Sequence, residues 1–187
     1  MTRFIKYVAV LFVFIQASAA NAILPTSLQE KELGFLIERL NTAIDAGNYG
    51  VIVQNMPKPL LQQLSIKLHV NEEVLKDEQF KQLKQQFETL GKGAFKLNAS
   101  AIEYKETPKN TFYALVPVRI ETKEAIVEDK MLFIFDNAGW HIIFGGNRIV
   151  QNPAFLEVYP EFEDVTLPIG KVTNKDNALH DTKSEAK

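Results

Sequence analysis

Between Lys130 and Phe144 the chain reads KMLFIFDNAGWHIIF, and no other stretch narrows its choice of fold as much. Asp136-Asn137-Ala138-Gly139 is strong turn chemistry. It joins two short apolar runs, Lys130 to Phe135 and Trp140 to Phe144, and so predicts a hairpin. Side chains alternate along a strand, so Phe133 and Phe135 point one way while Leu132 and Ile134 point the other. Both faces are therefore apolar. One face must cover helices. The other must also be covered, by a curved sheet closing on itself, by a ligand or by a second subunit.

The preceding sequence supplies the rest of such a sheet. Thr111 to Glu121 alternates clearly, with Phe112, Ala114, Val116, Val118 and Ile120 on one face. Tyr113, Leu115, Pro117 and Arg119 share the other. Pro117 lacks a ladder donor, which predicts an edge position or a bulge. Ala94 to Glu106 reads as a further mixed strand.

Helical patterns come earlier. Ser27-Leu28-Gln29-Glu30 reads as a capping box, followed by Leu33, Leu36, Ile37, Leu40 and Ile44 at helical spacing and a stop at Gly47. Tyr49 to Gln54 is short and apolar. A second helix starts near Pro59 and carries Leu60, Leu61, Leu64 and Leu68. A third follows Asn71 as N-cap, presents Leu75, Phe80, Leu83, Phe87 and Leu90, and ends at Gly91. A last short helix is expected over Ala154 to Tyr159. Helices followed by strands argue for an α+β fold: N-terminal helices on a curved antiparallel sheet of about four strands.

The first 22 residues stand apart. Arg3 and Lys6 precede an apolar run, Tyr7 to Ile15, and then QASAANA, which ends in small residues. This is the pattern of a cleavable signal peptide, cut after Ala22 or Ala19. The run is shorter than the roughly 20 residues that span a bilayer, so no membrane span is expected in the mature protein. The chain has no cysteine, so stability must come from packing rather than disulfides. Export without disulfides points to a bacterial periplasm. Losing Arg3 and Lys6 would take the formal net charge from −2 to about −4, a balance that does not attract phosphate backbones. No nucleic acid partner is expected. The domain should run over residues 23–168, and the polar residues 169–187 should form a disordered tail.

This layout resembles the NTF2-like (cone-shaped α+β) superfamily. The likeness rests on the long first helix ending in Ala43-Ile44-Asp45-Ala46-Gly47-Asn48-Tyr49, and on the closing MLFIFDNAGWHIIFGG hairpin with Trp140 directly after its turn. It covers roughly Leu28 to Pro160. The family includes ketosteroid isomerases and dehydratases as well as binding and assembly modules, so the resemblance implies a fold more than a chemistry. The family's catalytic acids and bases have no clear counterpart in this sequence.

Chemistry-bearing motifs are sparse. Three histidines, His69, His141 and His180, lie far apart, and no metal or cofactor is expected. No nucleophile elbow is present. Gly145-Gly146 lacks the residues of a phosphate loop and reads as a turn or bulge. Asn98-Ala99-Ser100 matches a glycosylation sequon, inside an expected strand. Acid–base chemistry has candidates in Glu103, Tyr104, Tyr113 and His141, all on expected strands. Tyr113, Leu115 and Arg119 form a semi-apolar face that fits an interface or the rim of a small apolar ligand's pocket. A homodimer through the sheet would cover the second apolar face. The leading expectation is a periplasmic domain that binds a ligand or protein and does no chemistry. An isomerase- or dehydratase-type enzyme, or an accessory part of an envelope assembly, is the alternative.

Overall fold

The computed structural model describes residues 25–175. The expected signal peptide and the tail beyond Lys175 lie outside the described residues. The chain forms an α+β fold, with helices packed on a curled antiparallel half-barrel sheet.

The cap of helix α1 (Ser27–Asp45) lies one residue before the capping box read from the sequence. Thr26 is the N-cap: its hydroxyl accepts from Gln29 N–H at 3.2 Å, and the Gln29 side chain accepts from Thr26 N–H at 2.8 Å. Leu33, Leu36, Ile37, Leu40 and Ile44 all face inward, as their spacing requires. The apolar run after Tyr49 forms a short helix, α2 (Gly50–Gln54). Pro57 and Pro59 then set the start of α3 (Lys58–Leu68). His69 leaves the helix in the left-handed region, and the Asn71 side chain accepts from Val74 N–H at 2.8 Å to open α4 (Glu72–Leu90).

The sheet is built around β3 (Phe112–Glu121) and β4 (Ala125–Asp136). The single strand expected over Ala94 to Glu106 is divided. β1 (Phe95–Leu97) and β2 (Glu103–Glu106) pair with different halves of β3, and a 3₁₀ turn at Ala99–Ala101 lies between them. The Asn98 side chain caps that turn by accepting from Ser100 N–H. β4 is divided in the same way on its far side. β5 (Gly139–Ile143) covers Leu132 to Asp136, and β6 (Lys171–Asn174) covers Ala125 to Glu128.

The two interruptions face each other, because Pro117 and Lys130 are direct partners in the ladder. Pro117 thus lies within an unbroken β3–β4 ladder, at neither the edge nor the bulge that its missing donor predicts. Asn98 N–H donates to its carbonyl at 2.8 Å, so its missing donor falls on the side where β1 gives way to β2. Lys130 N–H, unpaired by either β5 or β6, donates to the Asp129 carboxylate at 2.7 Å. With no neighbour strand on either side, the sheet is free to bend there.

Two cores result. On the front face, Leu33, Ile37 and Leu40 of α1 and Phe87 of α4 pack on Phe95, Ala114, Val116, Phe133, Trp140 and Ile142. Phe87 stacks on Tyr49 and meets Phe95 edge-on, and Trp140 Nε1–H donates to the Gln29 carbonyl at 2.8 Å. On the back face, Tyr113, Leu115, Leu132, Ile134 and Ile143 are buried under Val150, Phe155, Tyr159, Phe162 and Leu167, with Leu60 of α3 beside them.

The second apolar face is therefore covered by the chain itself. None of the three covers inferred from the hairpin is used over this region. After β5, Gly145 and Gly146 take φ of +128° and +56° and turn the chain back across the sheet. Short helices α5 (Asn147–Val150) and α6 (Pro153–Val158) follow. The expected disordered tail is also corrected over Lys171 to Asn174. These mostly polar residues pair with β4, because a ladder needs backbone groups rather than apolar side chains. Among the described residues no helix is long and apolar enough to cross a membrane.

Candidate functional site

The space between the helices and the front face is filled by Leu, Phe and Trp side chains, with Leu33, Leu40 and Phe133 fully buried. The clefts lie elsewhere. A trough of about 550 Å³ runs over the bend of the sheet, lined by Lys96, Leu97, Asn98, Ala99, Pro117, Val118, Arg119, Glu128 and Asp129. A smaller hollow shares Pro117, Glu128 and Asp129 with it and reaches to Pro168 through Lys171.

Register explains the trough's chemistry. Lys96, Arg119, Glu128 and Lys171 are successive cross-strand partners, so they form one charged row on the back face. Arg119 pairs with Glu128 at 3.5 Å and with Glu121 at 3.2 Å. Lys96 faces Arg119 with no acid of its own among the described residues. Ala99 and Pro117 supply an apolar floor beside this row.

A second, more polar cleft of about 450 Å³ lies at the tip of the hairpin. Tyr159 O–H donates to the Asp136 carboxylate at 3.0 Å, and Thr111 O–H donates to Glu161 at 2.6 Å. His141 Nε2 lies 3.2 Å from the Asp136 carbonyl, while its Nδ1 is buried with no partner. Burial, and then the charge of Asp136, push the Tyr159 hydroxyl far above its ordinary range, so it remains a proton donor. The sequence marks Asp136 only as a turn residue and Tyr159 only as a helix end. Nothing local shows that they meet.

The acid–base candidates are not brought together. Glu103 sits on the back face, hydrogen-bonded to Lys130 and 3.7 Å from Lys105. The Lys130 hydrogen bond holds its carboxyl below the ordinary range, the wrong direction for a general acid at neutral pH. Tyr104 lies on the front face, stacked on Phe112 at 6.0 Å, and burial raises its hydroxyl. His141 shares the back face with Glu103, but β3 and β4 separate their strands.

The expected ligand face is divided as well. Tyr113 and Leu115 retain 6% and 1% of their exposure, and Tyr113 packs against Phe162 at 5.3 Å. Arg119 alone reaches the trough. Among the described residues no three His, Cys, Asp or Glu side chains gather as a metal site would need. Comparison with family models, with characterised proteins and with solved structures gives no match to this chain.

Proposed function

We propose that this chain is an exported, periplasmic domain of the NTF2-like kind that holds another molecule and does no chemistry of its own. The order of helices before strands, the curled sheet and the closing hairpin with Trp140 after its turn support that kinship. One observation carries the function: the interior between helices and sheet is filled, so a bound molecule has to lie outside it. The trough over Pro117, about 550 Å³, joins an apolar floor to a charged row that would orient a ligand or a segment of a partner protein.

Native mass spectrometry of the mature protein purified from the periplasm tests this. The expected result is a chain beginning at residue 20 or 23 and carrying a retained molecule. Ala99→Trp fills the trough from an exposed position and should abolish that retention. Undiminished retention by A99W would remove the trough from the proposal.

The Asp136–Tyr159 pair favours a second reading, an isomerase- or dehydratase-type enzyme working at the hairpin tip. Tyr159 would donate a hydrogen bond to a substrate oxygen and Asp136 would accept a proton. Turnover lost in both Tyr159→Phe and Asp136→Asn, with folding intact, would favour it over pure binding.

A further inference from the structure

We infer that the outer edge of β6, which no strand among the described residues pairs with, joins β6 of a second copy and extends the sheet across a twofold axis. The inference is independent of what fills the trough and rests on the ladder's alternation. Lys175 N–H donates to the Glu124 carbonyl at 2.8 Å, so residue 175 turns its backbone groups toward β4. In an antiparallel ladder these groups alternate in direction. Residues 171 and 173 therefore also face β4, and Val172 turns its N–H and C=O outward. By the same alternation neither group of Val172 bonds to β4, the one strand that β6 pairs with among the described residues.

The side chains point the same way. Phe95, Ile120, Val127 and Val172 are successive cross-strand partners, one apolar row on the front face. Phe95 is buried, Ile120 and Val127 are half-buried, and Val172 is 63% exposed. The row runs off the sheet at β6. The outer edges of β1 and β5 are each engaged at one residue. Asn41 engages β1 by accepting from Leu97 N–H and donating to Leu97 C=O, both at 2.9 Å, and the Asn55 carbonyl accepts from Ile142 N–H on β5.

A second copy fits this edge in one register. With the axis through Val172, the residues facing each other share a face of the joined sheet, as pairing requires. Val172 meets its own counterpart, exchanges two hydrogen bonds with it and continues the apolar row. Lys171 falls opposite Thr173 of the other copy rather than opposite a second lysine, so no like charges meet directly. An axis normal to the sheet leaves both troughs on the same side of the pair. Four-residue strands bury less than a standard interface, so the dimer should be weak and dependent on concentration.

Sedimentation of the mature chain up to about 1 mM, the affinity range open to so small a contact, provides the test. The wild type should shift from monomer to dimer across that range. Val172→Pro should stay monomeric with an unchanged melting curve, because the lost N–H is not bonded to β4. Placed in a chain with no other cysteine, Val172→Cys should give a disulfide-linked dimer on mild oxidation. The Cα separation of such a pair is about 5.5 Å, within disulfide reach. Ile169→Cys, more exposed but off the paired register, should cross-link far less. A wild type that remains monomeric throughout would overturn the inference, as would a dimer that survives Val172→Pro or cross-linking at Ile169 equal to that at Val172.

Discussion

The front and back faces of the sheet use similar apolar side chains and come to different ends. The front is covered by helices that precede the strands, and its aromatic contacts run from Tyr104 and Trp140 near the hairpin to Phe87 and Phe95 on the helix side. The back is covered by the segment that follows the strands, and only over the hairpin half. Past Pro117 that cover stops and the charged row begins. A single alternating strand thus carries a continuous core on one side and, on the other, a core that gives way to an open trough. The usable surface lies where the cover runs out.

The sharpest way to break this comparison is to empty each core in turn. Phe133→Ala at the front and Phe155→Ala at the back should each cost about 3–5 kcal/mol, since both rings are fully buried. Denaturant titration should show one cooperative transition for each variant. If Phe155→Ala melts the back cover alone, seen as exchange in α6 with α1 still protected, the two cores are separate units.

Asn41→Ala comes next. It removes both hydrogen bonds that close Leu97 on β1 and should cost about 2 kcal/mol, with faster amide exchange at Leu97. Gly170→Ala acts where the chain enters β6. A Cβ there would lie 2.8 Å from Asp129 Cγ and 3.0 Å from the Glu128 carbonyl oxygen, so β6 must shift. Exchange protection should fall over Lys171 to Asn174 and hold elsewhere. A fully protected β6 in this variant would show that the close approach is not needed.

The smallest effect belongs to Glu103. Its lowered carboxyl pKa means that the pairing with Lys130 stabilises the fold above the ordinary carboxylate range. That contribution is lost as pH falls through the lowered folded-state value. Because the pair is well exposed, Glu103→Gln should cost only about 0.2–1 kcal/mol at neutral pH and make stability below pH 4 slightly flatter. A larger loss would mean that the pair also holds the trough's shape.

Much of the front face was legible in the sequence. Leu33 through Ile44 kept helical spacing, Asn71 and Gly91 bracketed α4, and the alternation of Thr111 to Glu121 set which side chains share a face. These are local signals. The back face was not legible, because its cover is a long-range event. Phe155 and Phe162 carry no mark showing that they will meet Leu115 and Leu132. The run around Ala99 was misread for a related reason: whether a strand continues depends on its neighbour, and here the neighbour carries Pro117. Of the candidate site, Arg119 was found from its place on a semi-apolar face. The Asp136–Tyr159 contact was not, since it joins a turn to a helix end 23 residues later.

The C-terminal origin of the back cover also has a consequence in time. A chain leaving the ribosome from its N-terminus has every residue of the buried front core once β5 has emerged. Leu115, Leu132 and Ile134 then remain bare until Phe155, Phe162 and Leu167 arrive. Through that interval the nascent protein carries an open apolar sheet face, the kind of surface that misassociates before folding is complete. Truncation anywhere between Gly145 and Leu167 would make that brief exposure permanent.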